Sequence, residues 1–104
     1  MSIKKQFLKS RPECKVTFKL DSTEAVKNAE SISIVGDFNN WDANDIAMDK
    51  LKNGTFTKVC YLEQGKSIQF RYLIDNEIWV TEEEADGYAD TGMGDQQKNA
   101  VIDL

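Results

Sequence analysis

The strongest constraint in this sequence is a period of two. Cys14, Val16, Phe18 and Leu20 alternate with Lys15, Thr17 and Lys19, and Ile68, Phe70, Tyr72 and Ile74 alternate with Gln69, Arg71, Leu73 and Asp75. A helix cannot gather such a set on one side, whereas a strand places it all on one face. No stretch carries helical spacing for three turns. The pattern commits the chain to antiparallel strands with one face buried and one face polar.

The remaining segments fit the same scheme. Ile32 and Ile34 alternate with Ser31 and Ser33 and run into Gly36, followed by the turn-forming set Asp37-Phe38-Asn39-Asn40 and then Trp41. Residues 46–52 form a short weak strand. Asn53-Gly54 tolerates positive φ at both positions, which predicts a two-residue type I′ hairpin into residues 55–62. In that second arm Phe56, Cys60 and Leu62 face inward, and Lys58 interrupts the alternation. Asp75-Asn76-Glu77 makes a tight turn into Ile78-Trp79-Val80, and residues 100–104 close the chain as a last strand. Residues 21–30 read as a polar loop or a single helical turn. Residues 81–98 show no apolar periodicity and read as one long loop. About seven short strands at hairpin spacing predict an all-β, immunoglobulin-like antiparallel β-sandwich. The domain spans residues 14–104, behind an N-terminal arm of residues 1–13 whose extended end is set by Pro12.

Composition narrows the chemistry. An apolar share of 40% is enough for a folded core in 104 residues, and enough for only one. The net charge of −5 repels phosphate backbones and speaks against nucleic acid as the partner. The basic residues near the start (Lys4, Lys5, Lys9, Arg11, Lys15) read as a solvated arm and strand face. No apolar run approaches a membrane span, and MSIKKQFLKSRPE lacks the apolar segment of a secretory signal, so a cytoplasmic protein without a membrane partner is expected. Cys14 and Cys60 then read as buried thiols rather than a disulfide. Histidine is absent, which removes Ser-His and Cys-His nucleophile pairs and the commonest transition-metal ligand.

Carboxylates are the only candidate catalytic groups. Glu82, Glu83, Glu84, Asp86 and Asp90 crowd the last long loop, and paired carboxylates hydrolyse glycosides when a rigid frame spaces them. Here no shaped pocket is visible behind them, and a solvated acidic loop is the simpler account. Their spacing matches no EF-hand, and Gly92-Met93-Gly94 lacks the helix a phosphate-binding loop needs. Neither a metal nor a cofactor is expected.

The aromatic residues carry more information. Trp41 and Trp79 each follow a turn, and neither belongs to an inward row. Both fit the edge of a core, and both fit a surface where flat rings stack on the C–H faces of a sugar while polar neighbours bond its hydroxyls. Arg71 lies on the face opposite Phe70 and Tyr72 and is expected in solvent beside the Trp79 hairpin.

The succession GDFNNW, an Asn-Gly hairpin, FRYLID, Trp79 and a closing NAVIDL resembles carbohydrate-binding module family 48. That family includes the glycogen-binding domain of the AMP-activated protein kinase β subunit and the N-terminal early-set domain of isoamylases and branching enzymes. The resemblance covers residues 16–104. It implies that Trp41 stacks on a glucose ring, that Arg71 replaces a hydroxyl-bonding lysine, that Trp79 is the second stacking ring, and that Asn99 bonds a further hydroxyl. Asn39, Met93, Asp95 and Gln97 are additional candidate contacts. The turn before Trp79 is one residue longer than the usual form, and Arg in place of Lys changes the donor geometry to a planar fork.

The expected function is non-catalytic binding of α-1,4-linked glucan: glycogen, starch or a maltooligosaccharide. The family also accompanies glycoside hydrolase family 13 barrels of about 250 residues, too long for this chain, so it is not expected to be an enzyme. Two functions follow from the resemblance: a glucan binder, or a protein-interaction or regulatory module working with a glycogen-metabolism enzyme and binding no sugar.

Overall fold

The computed structural model describes residues 2–21, 23–90 and 98–104. The alternation seen in the sequence becomes two antiparallel sheets packed face to face. The strands are β1 (Ser2–Phe7), β2 (Glu13–Leu20), β3 (Ile32–Gly36), β4 (Ile46–Ala47), β5 (Asp49–Lys50), β6 (Phe56–Glu63), β7 (Ser67–Ile74), β8 (Ile78–Val80), β9 (Gly87–Asp90) and β10 (Lys98–Asp103). One sheet has the order β1-β2-β6-β5. The other runs β4-β3-β7-β10-β9, with β8 also paired to β7. The expected all-β sandwich is present, with more and shorter strands than the seven read from the sequence.

The core lies where the two alternating rows meet. Cys14, Val16, Phe18 and Leu20 face Ile68, Phe70, Tyr72 and Ile74, with Ile32, Ile34, Ala100 and Ile102 beside them. Phe18 packs edge-on against Phe70 at 5.2 Å between ring centroids, and Phe70 meets Tyr72 edge-on at 5.5 Å. Such pairs add about 0.5–1.5 kcal/mol each beyond area burial. A single helical turn, α1 (Glu24–Lys27), contributes Val26 to the same core. Cys14 and Cys60 are buried and free, and burial raises the Cys60 thiol pKa, which keeps it protonated.

Four local readings differ from the sequence expectation. First, the residues taken as an arm include an edge strand: β1 pairs with β2 from Ser2↔Lys19 to Phe7↔Cys14. Lys5 points toward the sandwich interior there and snorkels out to Asp86 and to the Asp103 carbonyl of the opposite sheet, which closes that side.

Second, residues 46–52 are not one strand. β4 joins β3 in one sheet and β5 joins β6 in the other, so the chain changes layers at buried Met48. Third, Asn53-Gly54 does not form a type I′ turn. Asp49↔Thr57 and Lys50↔Phe56 leave a longer loop, in which Leu51 bonds Thr55 and only Gly54 has positive φ, at 86°. The type I′ geometry falls instead on Asp75 and Asn76, with φ of 52° and 58°, where Glu77 N–H closes onto Ile74 C=O at 3.0 Å. Fourth, residues 81–98 are not all loop, because β9 pairs with β10 there. The register of β6, which the sequence left open, places Lys58 opposite Phe18 on the inward row.

Candidate functional site

The face of the larger sheet that points away from the core is built by the odd residues of β7 and their neighbours. Val35 lies opposite Arg71, Leu73 opposite Trp79, Val101 opposite Gln69, and Asn99 opposite Ala89. This face is not a bare solvated surface. Val35 is fully buried on it, and Arg71 and Leu73 are only 6% exposed, although none of the three belongs to the inter-sheet core. The expectation that Arg71 stands in solvent is therefore corrected. Its guanidinium lies under the Trp79 ring, 4.6 Å from the ring centroid. A guanidinium at this distance over an indole face makes a cation–π contact.

Trp41 is positioned by a different part of the chain. After β3 the chain tightens into a 3₁₀ turn over Asp37–Asn39, and then both Asn40 and Trp41 adopt left-handed backbone, with φ of 55° and 58°. Asparagine tolerates that region, while for tryptophan it costs about 1–2 kcal/mol. Two bonds hold the strained residue: its N–H donates to Gly36 C=O at 2.9 Å, and its indole Nε1 donates to Asp37 Oδ1 at 2.9 Å. The second oxygen of Asp37 accepts the Gln69 backbone N–H at 2.9 Å. Trp41 is thus tied through one carboxylate to the strand that carries Arg71. Both tryptophans are half-buried.

Gly36 makes this turn possible. A Cβ there would lie 2.6 Å from the Gln69 carbonyl oxygen and 2.7 Å from Phe70 Cβ, so only glycine lets β3 approach β7 at that point.

The other sequence candidates fall into three groups. Asn99 is buried on the outward face and donates from Nδ2 to Gln69 Oε1 at 3.1 Å. Asn39 is buried and spent within the turn: its carboxamide accepts from Gly36 N–H and donates to Ile34 C=O, each at 3.0 Å. Met93, Asp95 and Gln97 lie outside the described residues. Two contributors were not read from the sequence, Asp37 and Gln69. The alternation did place Gln69 on the face of Arg71, but nothing in the spacing showed that its backbone and side chain join the two ends of that face.

The acidic residues are used structurally. Glu82 is fully buried, accepts the Tyr72 hydroxyl at 2.9 Å and also accepts the Glu84 backbone N–H. Burial, followed by the charge of Glu82, drives the Tyr72 phenol pKa well above its usual value. Asp86 is held below the usual carboxylate range by the hydrogen bond from Lys5 and then by the Asp103 backbone N–H. Lys98 does the same for Asp90. Among the described residues no group of three or more cysteine or carboxylate ligands is placed to hold a metal ion, and no helix is long and apolar enough to cross a membrane. A cleft of about 390 Å³, lined by Asp37, Phe38, Tyr61, Leu62 and Ile68 among others, lies beside the turn that carries Asp37.

The fold is a two-sheet antiparallel β-sandwich that layers tryptophan over arginine on one sheet face. The family model described as the glycogen recognition site of AMP-activated protein kinase matches residues 14–101, and the chain belongs to that family. The family is one of carbohydrate-binding modules, which bears out the resemblance carried by GDFNNW, FRYLID and Trp79. No curated protein matches the chain.

Proposed function

We propose that this protein binds α-1,4-linked glucan on the outward face of its larger sheet, without catalysing a reaction. The observation that carries the reading is the Trp79 ring resting on the Arg71 guanidinium at 4.6 Å. The cation holds the indole in place, and the ring stacks on the C–H face of a glucose unit. Trp41 supplies a second ring, and the strain in its backbone supports a binding role, since left-handed tryptophan persists only where the surroundings enforce it. Arg71 and Asn99 bond hydroxyls. Membership of a glycogen-recognition family gives the substrate class.

Two stacks and a few hydrogen bonds in contact with water correspond to a Kd of about 10 μM to 1 mM. Titration of maltoheptaose while following tryptophan fluorescence tests this. A saturable change in that range, abolished in Trp41→Ala and in Trp79→Ala, supports the reading; no change at millimolar sugar rejects it. Release of reducing sugar from glycogen by the pure protein would contradict the absence of catalysis.

A second reading, a protein-interaction module, is favoured by one separate observation. On the outward face of the other sheet Tyr61 is 51% exposed with the Arg11 guanidinium 5.2 Å from its ring centroid, and Val59 is 40% exposed next to it. Tyrosine and arginine are the residues that anchor polypeptide interfaces. A partner enzyme of glycogen metabolism held there would leave the tryptophan face free. Capture of such a partner that Tyr61→Ala abolishes and maltoheptaose does not displace would support it; capture that sugar displaces would place the contact on the tryptophan face instead.

A further inference from the structure

We propose that Gln69 is a positioning residue of the glucan site, one that fixes the polarity of Asn99 so that the face presents an acceptor, Asn99 Oδ1, to a donating sugar hydroxyl. The inference rests on the glucan reading above and adds a residue and a requirement on the ligand.

Gln69 occupies the outward face of β7, two residues before Arg71 and directly opposite Val101, with Asn99 diagonal to it on β10. Diagonal neighbours on one face of an antiparallel pair lie within reach of long side chains. The pair is joined by Asn99 Nδ2 donating to Gln69 Oε1 at 3.1 Å. Gln69 is held at its other end too, since its backbone N–H is given to Asp37, the residue that holds Trp41. The backbone of Gln69 is therefore anchored beside the Trp41 turn.

A carboxamide has donors at one end and an acceptor at the other. With Nδ2 committed to Gln69, the end of Asn99 left to a ligand is Oδ1. That oxygen is buried and takes no hydrogen bond among the described residues, on a side chain only 7% exposed. A buried acceptor without a donor is unfavourable, so a ligand group that donates to it is favoured over one that only accepts. On an α-glucan the donating groups are the free hydroxyls. The ligand must therefore offer a hydroxyl proton at the position over Asn99, and an ether or a fluorine there fails even where its shape fits.

The test uses maltotriosides carrying fluorine in place of the 2-, 3- or 6-hydroxyl, because fluorine is small and cannot donate. Wild type should bind at least one of the three about three- to tenfold more weakly than the parent sugar, the range of one neutral hydrogen bond. In Gln69→Leu the carboxamide is no longer directed, so that penalty should shrink towards onefold. Gln69→Glu still accepts from Asn99 Nδ2 and should restore the penalty. Equal binding of all three fluorinated sugars by wild type, or an undiminished penalty in Gln69→Leu, overturns the inference.

The Asn99 side-chain amide gives a readout independent of sugar. Its resonance in ¹⁵N-edited spectra should move in Gln69→Leu and stay near its wild-type position in Gln69→Glu. If neither variant moves it, Gln69 does not set Asn99, whatever the sugar does. If wild type binds no maltooligosaccharide while the amide behaves as stated, the glucan reading fails and the Gln69–Asn99 pairing stands.

Discussion

The Asp37 carboxylate holds the indole of Trp41 with one oxygen and the backbone of Gln69 with the other, each at 2.9 Å. One exposed side chain thus couples a strained loop residue to the central strand of the larger sheet. Removing it frees the ring without touching the ring's chemistry. Asp37→Ala should weaken maltoheptaose binding about three- to tenfold and lower stability by about 1 kcal/mol, the scale of the two lost bonds. Titration and thermal melting check the two numbers, and the Trp41 indole N–H resonance should shift upfield as it loses its carboxylate partner.

Gly36 is required by space. Alanine there would drive a methyl to within 2.6 Å of a backbone oxygen of β7, an atom that cannot move without pulling the sheet apart. Gly36→Ala should cost about 1–3 kcal/mol, read as a lower denaturant midpoint. Glycan affinity should fall with it, because the turn to Trp41 starts at this residue.

Tyr72 and Glu82 make an alkaline limit. The Tyr72 phenol is buried, with a pKa raised first by that burial and then by the Glu82 carboxylate. The unfolded chain ionises this tyrosine near its ordinary pKa of about 10 while the folded chain keeps the proton. The contribution is therefore complete below about pH 10 and lost as pH rises beyond it towards the folded value. Tyr72→Phe should remove that dependence, and should cost about 1–3 kcal/mol at neutral pH by leaving Oε1 of the buried Glu82 without its donor. Chemical denaturation across pH 7 to 11 separates the two effects.

Lys5 and Asp86 make the acid limit. Asp86 is held below the usual carboxylate range mainly by the Lys5 hydrogen bond. A depressed carboxylate stabilises the fold above its unfolded pKa of about 3.9, and that stabilisation disappears as pH falls through the lower folded value. Both side chains are partly in water, so the effect on global stability is small. It should be visible locally, as faster amide exchange in β1 below pH 4, and Lys5→Met should show that loosening already at neutral pH.

How much of this was legible depended on whether the interactions were periodic. β2 and β7 were plain because each alternates over a full strand, whereas Lys58 broke the alternation of β6 and left its register to be set by pairing with β2. β1 was hidden by Lys5, a charged residue on the inward row whose partners Asp86 and Asp103 lie 81 and 98 residues away in sequence. The hairpin turn was misplaced because Asn53-Gly54 and Asp75-Asn76 both tolerate positive φ, and pairing across the sheets, not local preference, decided which turn tightened. At the site, alternation put Arg71 on the correct face. It could not show that the Trp79 ring lies against the Arg71 guanidinium on that face. Asp37 and Gln69 were unreadable for the same reason: their roles exist only once β3 and β7 lie side by side.

The central claim is that the outward face of the larger sheet binds glucan, and ¹⁵N-edited spectra of the protein titrated with maltoheptaose test it most directly. Saturable shifts should appear in both indole N–H resonances and in the amides around Asp37, Gln69, Arg71, Trp79 and Asn99, while β1, β2 and β6 stay still. Spectra unchanged at 10 mM sugar, about tenfold above the weakest affinity expected, would contradict the claim, as would shifts confined to the sheet that carries Tyr61.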